Sequence, residues 1–156
     1  MTLIELLIGI TLTSFIFLSA SSLMLTLFAS NTRSKQIDIL DEAKDDLQAE
    51  LTGAVRWSAK VEVLNSNTLQ VTSIDGTSHT YAFNTASKTI LKDGESLAIK
   101  DVSFTQFAVT DYSDQSVAAS PVSLEIIIDM EHTRFPILKD HFRIVVSQRV
   151  GAATKA

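Results

Sequence analysis

The run LIELLIGITLTSFIFLSASSLMLTLFA at residues 3–29 decides the fold of this chain. It holds one ionisable residue, Glu5, and the next charged residue along the chain is Arg33. Roughly 20 helical residues cross a bilayer core about 30 Å thick, so this run is long enough to span a membrane. A cleaved secretory signal is the alternative, but its apolar region is only some 7–15 residues long and follows a basic start. We therefore expect residues 1–30 to form a transmembrane helix.

Composition limits what the rest of the chain can do. The 156 residues carry a formal charge of −5 and no visible cluster of Lys and Arg, so nucleic acid is not expected as a primary partner. The chain contains no cysteine, which excludes disulfides, thiolate metal sites and cysteine nucleophiles. We expect one folded unit that is held together by packing alone.

Helical periodicity continues beyond the apolar run, over residues 31–57. One face is apolar, with Ala43 or Lys44 filling a gap in the stripe of Ile37, Leu40, Leu47, Leu51, Ala54 and Val55. The other face is acidic and is either a solvated surface or an electrostatic contact surface; it holds Asp38, Asp41, Glu42, Asp45, Asp46 and Glu50. With no strong helix breaker between Leu3 and Thr52, one continuous helix that ends near Gly53 or Trp57 is expected.

From Val61 onward the apolar residues alternate with polar ones, which is typical of half-buried strands. The alternating positions are Val61 and Val63, Leu69 and Val71, Tyr81 and Phe83, Leu97 and Ile99, Val122 to Met130, and Phe142 to Val146. Turn sequences such as Asp75-Gly76 and Asp93-Gly94 separate these runs and favour sequential hairpins. The chain is therefore predicted to be an α+β protein, with an antiparallel β-sheet over residues 58–150 packed on the long helix. Residues 151–156 are predicted to be a flexible tail.

Neither the loops nor the histidines suggest an enzyme. The segment 111–120 is predicted to be an exposed loop, and Asp111 and Asp114 lack the spacing of a dedicated calcium loop. Pro136 makes an unbroken strand through residues 131–141 improbable. The three histidines lack metal-site spacing, although His132 and His141 could meet across the final hairpin. We expect no catalytic residue, no cofactor and no metal.

Glu5 needs its own explanation, because an ionised carboxylate is costly in hydrocarbon. With Thr2 as the N-cap it would complete a capping box, and it would place negative charge at the positive end of the helix. It could also reach the membrane interface from its place near the helix end. A third role arises if several such helices pack together, because a buried carboxylate then needs a cation. The α-amino group of Met1 in a neighbouring chain is the nearest candidate.

The first thirty residues resemble the mature N-terminus of bacterial type IV pilins and of the pseudopilins of type II secretion. The motif of that family is an N-methylated residue followed by TLIEL with glutamate at the fifth position, and TLIELLI stands here at the matching offset. A long helix whose second half packs on an antiparallel sheet also agrees with the pilin fold over essentially the whole chain. The sequence departs from many pilins in having Met1 where phenylalanine is usual, Ser22 where proline is common, and no C-terminal disulfide.

The resemblance implies a structural subunit, with an anchor in the cytoplasmic membrane before assembly and a place in a helical surface filament afterwards. It implies that a prepilin peptidase removes a short basic leader ahead of Met1, and that assembly machinery in the inner membrane builds a homopolymer. Glu5 would then neutralise the Met1 amine of an adjoining subunit. The residues expected to form the filament core are Leu3, Ile4, Leu6, Leu7, Ile8, Ile10, Phe15, Phe17 and Leu18.

Two other expectations concern the helix, and two concern the class of protein. Charge contacts between subunits are expected from Arg33, Lys35, Asp38, Asp41 and Glu42. If the helix unwinds in a filament, the weak helix formers between Ser14 and Ser22 are the expected place.

A minor pilin or a pseudopilin of a secretion or DNA-uptake machine would share the same N-terminus. A single-pass membrane-anchored binding domain that forms no polymer is the remaining alternative.

Overall fold

A computed structural model describes residues 2–113 and 122–149 and divides the chain into two compact units, Met1–Asp38 and Ile39–Ala156. Helix α1 runs without interruption from Leu3 to Arg56, so it forms the first unit and continues into the second. The expected end between Gly53 and Trp57 is confirmed. The predicted loop and tail fall largely on residues 114–121 and 150–156, which lie outside the described residues.

The first unit is a single helix whose side chains face solvent. The helix is long and apolar enough to cross a membrane, with a mean hydropathy of 2.1 over its most apolar window, none of which is buried. The described part of the chain leaves this apolar surface open to its surroundings.

Six hydroxyl side chains between Thr11 and Thr32 donate hydrogen bonds within the helix. Ser14 and Ser19 each donate to the backbone carbonyl four residues earlier, at 2.8 and 2.9 Å, and Thr11, Thr13, Thr26 and Thr32 do the same. Such bonds leave no hydroxyl hydrogen in need of water, so these residues are compatible with a hydrocarbon surround. The stretch from Ser14 to Ser22 is regular helix in the isolated chain.

The second unit contains eight strands in the described residues, arranged in two antiparallel sheets. The first sheet is a meander in the order β1 to β5, and the second follows in the order β6 to β8. The strands are β1 Ser58–Asn65, β2 Thr68–Ser73, β3 Ser78–Asn84, β4 Thr89–Lys92, β5 Glu95–Ser96, β6 Val102–Asp111, β7 Ser123–His132 and β8 Lys139–Ser147. The predicted α+β class is confirmed, while the expectation of a single sheet is corrected to two.

Two backbone hydrogen bonds join strand β6 to the hairpin turns of the first sheet. The amide of Phe104 donates to the carbonyl of Lys88 in the β3–β4 turn, and the amide of Val109 donates to the carbonyl of Ser66 in the β1–β2 turn, both at 2.8 Å. Strand β7 pairs with the other edge of β6. The two turns thus accept hydrogen bonds from the edge of β6 that β7 does not cover. Without them, these backbone amides would be open to pairing with another chain.

The core of the second unit lies between the C-terminal half of α1 and the two sheets. The helix contributes the stripe Leu40, Ala43, Leu47, Leu51 and Val55, which are all buried. The sheets contribute fully buried aromatic and branched side chains, among them Leu69, Tyr81, Ile90, Phe104, Phe107, Leu124, Ile126 and Ile128. Hydrophobic packing of this stripe therefore holds the helix on the sheets.

The sequence pattern was wrong about one strand and gave no alternating run for strands β4, β5 and β6. Leu97 and Ile99, predicted to lie in a strand, belong to an irregular connection after the two-residue strand β5. Strand β6 carries its buried residues at Phe104, Phe107 and Val109, because a bulge between Phe104 and Gln106 shifts the alternation by one residue. The break predicted at Pro136 is confirmed, since β7 ends before it and β8 begins after it.

Leu51→Ala tests the importance of the helix stripe. Leu51 is completely buried, so its truncation leaves a cavity and is expected to lower the free energy of unfolding by about 2–5 kcal/mol. Urea unfolding of the full chain in detergent micelles measures this loss. The matched control is Gln48→Ala, which changes an exposed position on the same helix and should leave the midpoint nearly unchanged. Equal effects of the two changes would contradict the packing described here.

Candidate assembly surface

The N-terminus of α1 is closed by Glu5. The backbone amide of Thr2 donates to Oε2 of Glu5 at 2.8 Å, and the amide of Leu6 donates to the carbonyl of Thr2 at 3.3 Å. Thr2 therefore occupies the N-cap position and Glu5 the third helical position, which confirms the predicted reach of Glu5 back to the cap. A carboxylate has two oxygens with about four acceptor positions, so this bond leaves Glu5 capacity for a further donor.

The apolar residues singled out from the sequence all lie at the surface. Their exposed fractions run from 51% for Leu6 to 82% for Leu3, and the set comprises Leu3, Ile4, Leu6, Leu7, Ile8, Ile10, Phe15, Phe17 and Leu18. Seven further residues are as exposed as these but were left out of that set: Leu12, Ile16, Leu23, Met24, Leu25, Leu27 and Phe28. Hydropathy alone could have found them, because every face of this segment is apolar. The surface thus surrounds the helix and is not a stripe.

The predicted partner of Glu5 is the amine of Met1, and Met1 lies outside the described residues. The pairing is a contact between two chains, so it remains a prediction. On the described part of the first unit, Arg33, Lys35 and Asp38 are exposed. In the second unit Asp41 and Glu42 are exposed as well. The structure therefore leaves all five charged candidates accessible to another molecule.

Glu50 does not belong to the solvated acidic face on which the sequence pattern placed it. Its Oε1 accepts from Nζ of Lys92 at 2.5 Å and from the hydroxyl of Tyr81 at 2.8 Å. The bond from Lys92 is the main cause that lowers the pKa of the Glu50 carboxyl, and Tyr81 adds to it. Desolvation, together with this carboxylate, raises the pKa of Tyr81. Glu50 thus ties the helix to β3 and β4.

Lys44, which the sequence offered beside Ala43 to fill the gap in the apolar stripe, reaches toward the second sheet. Its Nζ lies 3.2 Å from Oδ2 of Asp140 and 5.7 Å from the centre of the Phe142 ring. The sequence could not have shown either contact, because both partners lie about a hundred residues further along the chain. Lys44 and Glu50 therefore fasten the same helix to different sheets.

One groove of the second unit lies between the helix and the first sheet. It has a volume of about 930 Å³ and is lined by small helix residues, by the Glu50–Lys92 pair and by the segment Ser96–Ile99. The described residues contain no group of three or more His, Cys, Asp or Glu side chains that could hold a metal ion.

The two histidines of the final hairpin do not meet. His132 is fully buried, its Nδ1 accepts from the amide of Arg134 at 3.1 Å, and its ring lies 5.3 Å from that of Phe135. His141 is bonded to Asp129, its cross-strand partner. Since residues 129 and 132 differ by an odd number on one strand, they face opposite sides of the sheet.

Comparison with known proteins adds no relative. No family model matches the chain, and neither the curated proteins nor the solved structures give a match. The likeness to pilins therefore rests on the N-terminal motif and on the helix that follows it.

Glu50→Gln tests the tie between the helix and the first sheet. Because folding lowers the pKa of Glu50, the ionised group stabilises the fold above its ordinary pKa of 4.5, and this contribution is lost as the pH falls through the folded value. We expect the variant to be less stable than the parent chain at pH 7, with the difference shrinking as the pH falls below 4.5. Thermal unfolding in detergent over this pH range measures it.

Glu62→Gln is the matched control, since Glu62 forms an exposed ion pair with Lys60. Exposed pairs contribute little, so this variant should unfold close to the parent chain at every pH. A difference for Glu50→Gln that stays constant with pH would show that its charge is not what stabilises the fold.

Proposed function

We propose that this protein is a non-enzymatic structural subunit of a type IV pilus-like surface filament. The observation that carries the proposal is the TLIEL motif at the start of a helix whose large apolar side chains are exposed on every face over residues 3–29. The same helix carries a buried stripe only from Leu40 onward. One half is thus committed to the fold of its own chain, and the other half is available to lipid or to other chains.

Assembly then transfers the apolar segment from lipid into contact with neighbouring helices. Before assembly, the apolar segment anchors the chain in the cytoplasmic membrane, where a helix satisfies its own backbone polar groups. In the filament, the same side chains pack against helices of neighbouring subunits. The hydroxyls of Thr11, Ser14 and Ser19 already donate within their own helix, so these three donors remain satisfied both in lipid and among neighbouring helices.

Glu5 sets the register in which neighbouring helices pack. An apolar surface that surrounds the helix offers no charged group that would favour one rotation or height over another. A carboxylate buried by neighbouring helices must find a cation, and the amine of Met1 on an adjoining subunit is the proposed one. Removing one partner of a buried ion pair typically costs about 3–5 kcal/mol, which is enough to select the register in which the two groups meet.

The remaining partners follow from the resemblance. A prepilin peptidase would expose and allow methylation of Met1, and inner-membrane assembly machinery would extract the subunits from the bilayer. The exposed charges of Arg33 and Lys35 complement those of Asp38, Asp41 and Glu42, and they are proposed to pair between neighbouring subunits.

Glu5→Val tests the proposed pairing. The change removes an ionisable group from an apolar segment, so membrane insertion should be unaffected or slightly better. The amine of the neighbouring subunit would lose its partner, and we expect at least a tenfold loss of filaments in sheared surface material. Membrane fractionation and electron microscopy measure the two effects separately.

Glu62→Gln is the matched control, because it removes an exposed carboxylate that lies outside the helix and outside the proposed contacts. It should give a normal yield of filaments. Normal filaments from Glu5→Val would rule out the pairing, and their absence from the parent chain would favour the membrane-anchored binding domain. A trace amount in sheared material would favour a minor pilin over a major one.

A further inference from the structure

The loop between β7 and β8, residues 133–138, displays apolar side chains at the surface of the second unit. Ile137 is 90% exposed and Phe135 is 43% exposed. Isolated apolar residues at a surface need no explanation, but two on one short loop around Pro136 form a compact apolar tip.

The backbone of this loop is held in place. The amide of Leu138 donates to the carbonyl of Phe135 at 2.8 Å, and the amide of Thr133 donates to the carbonyl of Asp101 at 2.9 Å. In addition, Nδ1 of the buried His132 accepts a hydrogen bond from the backbone amide of Arg134 at 3.1 Å. A tip that is already ordered loses little conformational freedom when it binds, which favours a role in contact.

Basic side chains flank the apolar tip. Arg134 lies 3.4 Å from Asp101, and Lys139 lies 3.7 Å from Glu131. The cations are 73% and 65% exposed, whereas their acidic partners are only 22% and 13% exposed. The positive groups therefore stand outermost around the tip, although the chain as a whole is acidic. Apolar residues ringed by cations suit a bilayer surface that carries anionic headgroups.

The loop lies at the end of the second unit where the chain enters it. The Lys44–Asp140 pair, at 3.2 Å, places the start of β8 beside the first turns of the packed helix. At the other end of β8, Nε2 of Gln148 donates to the carbonyl of Ser58, just beyond the end of the helix. Along the chain, residues 30–38 lie between the apolar segment and this entry end.

The acidic residues of the helix do not oppose such a contact. Asp41, Glu42 and Asp45 are exposed on the face away from the buried stripe, whereas the loop belongs to the sheet side of that stripe. We propose that residues 134–139 dock on the surface of an anionic lipid bilayer while the chain is anchored in it. The inference rests on the membrane anchoring of the proposed function and adds a second, reversible contact with the membrane.

A lipid-borne quencher at headgroup depth tests the contact in the full chain. The protein has no cysteine, so Thr133→Cys provides a single exposed site for a fluorophore beside the loop. The matched site is Thr77→Cys in the β2–β3 turn, which lies at the other end of the unit because Ser73 pairs with Ser58. In phosphatidylcholine vesicles containing phosphatidylglycerol, we expect quenching at residue 133 and little at residue 77.

Substitutions in the loop give the second part of the test. Ile137→Ser should reduce the ratio of docked to undocked loop about tenfold, because the side chain no longer buries apolar surface in the bilayer. Arg134→Gln and Lys139→Gln should each reduce it about fivefold, and only when phosphatidylglycerol is present. Ile74→Ser is the control, since Ile74 is 72% exposed in the distal turn. It should change nothing.

Flotation with the vesicles separates this inference from the function on which it rests. Chains that float without quenching at residue 133, or with quenching that Ile137→Ser leaves intact, would overturn the loop contact and leave the anchoring standing. Chains that fail to float would overturn both. Self-quenching of the label at residue 133 that grows with protein density, without quenching by lipid, would assign the loop to a second copy of the chain and also overturn the contact.

Discussion

Burial of one side of the helix against the two sheets is the interaction on which the second unit depends. Leu40, Leu47 and Leu51 fill the space between the sheets and the helix backbone, and with them the sheets cover their apolar faces. No disulfide assists, because the chain has no cysteine. Without this stripe only a few partly exposed polar contacts would hold the helix to the sheets, and the sheets would expose their apolar faces to water.

Polar contacts refine that packing without replacing it. Glu50 and Lys44 reach from the helix to the first and second sheets, and each is partly exposed, so each is worth far less than a buried leucine. These two contacts fix the rotation of the helix about its axis. A hydrophobic stripe alone tolerates some rotation, whereas two polar contacts with partners on different sheets do not. The backbone bonds between β6 and the turns of the first sheet add a further constraint on how the sheets meet.

The periodic parts of the fold could be predicted from sequence, and the irregular parts could not. The helix and most strands repeat at 3.6 or two residues, so their patterns identify them. Strand β6 breaks its own alternation at the bulge near Phe104, and the connection at Leu97–Ile99 imitates a strand in a segment that does not pair. The role of Glu50 could not be predicted for a different reason. In the sequence it resembles its acidic neighbours, and only the fold brings Lys92 and Tyr81 beside it.

The sequence by itself determined the long helix, its wholly apolar first half and the capping role of Glu5, because these depend on residues within a few turns of one another. Only the tertiary structure decided that the strands form two sheets and that Lys44 and Glu50 bind them. It also decided that the β7–β8 loop holds Ile137 out at the entry end of the unit. Those features depend on contacts between residues far apart in the chain. The free energies of such contacts cannot be inferred from a local sequence pattern.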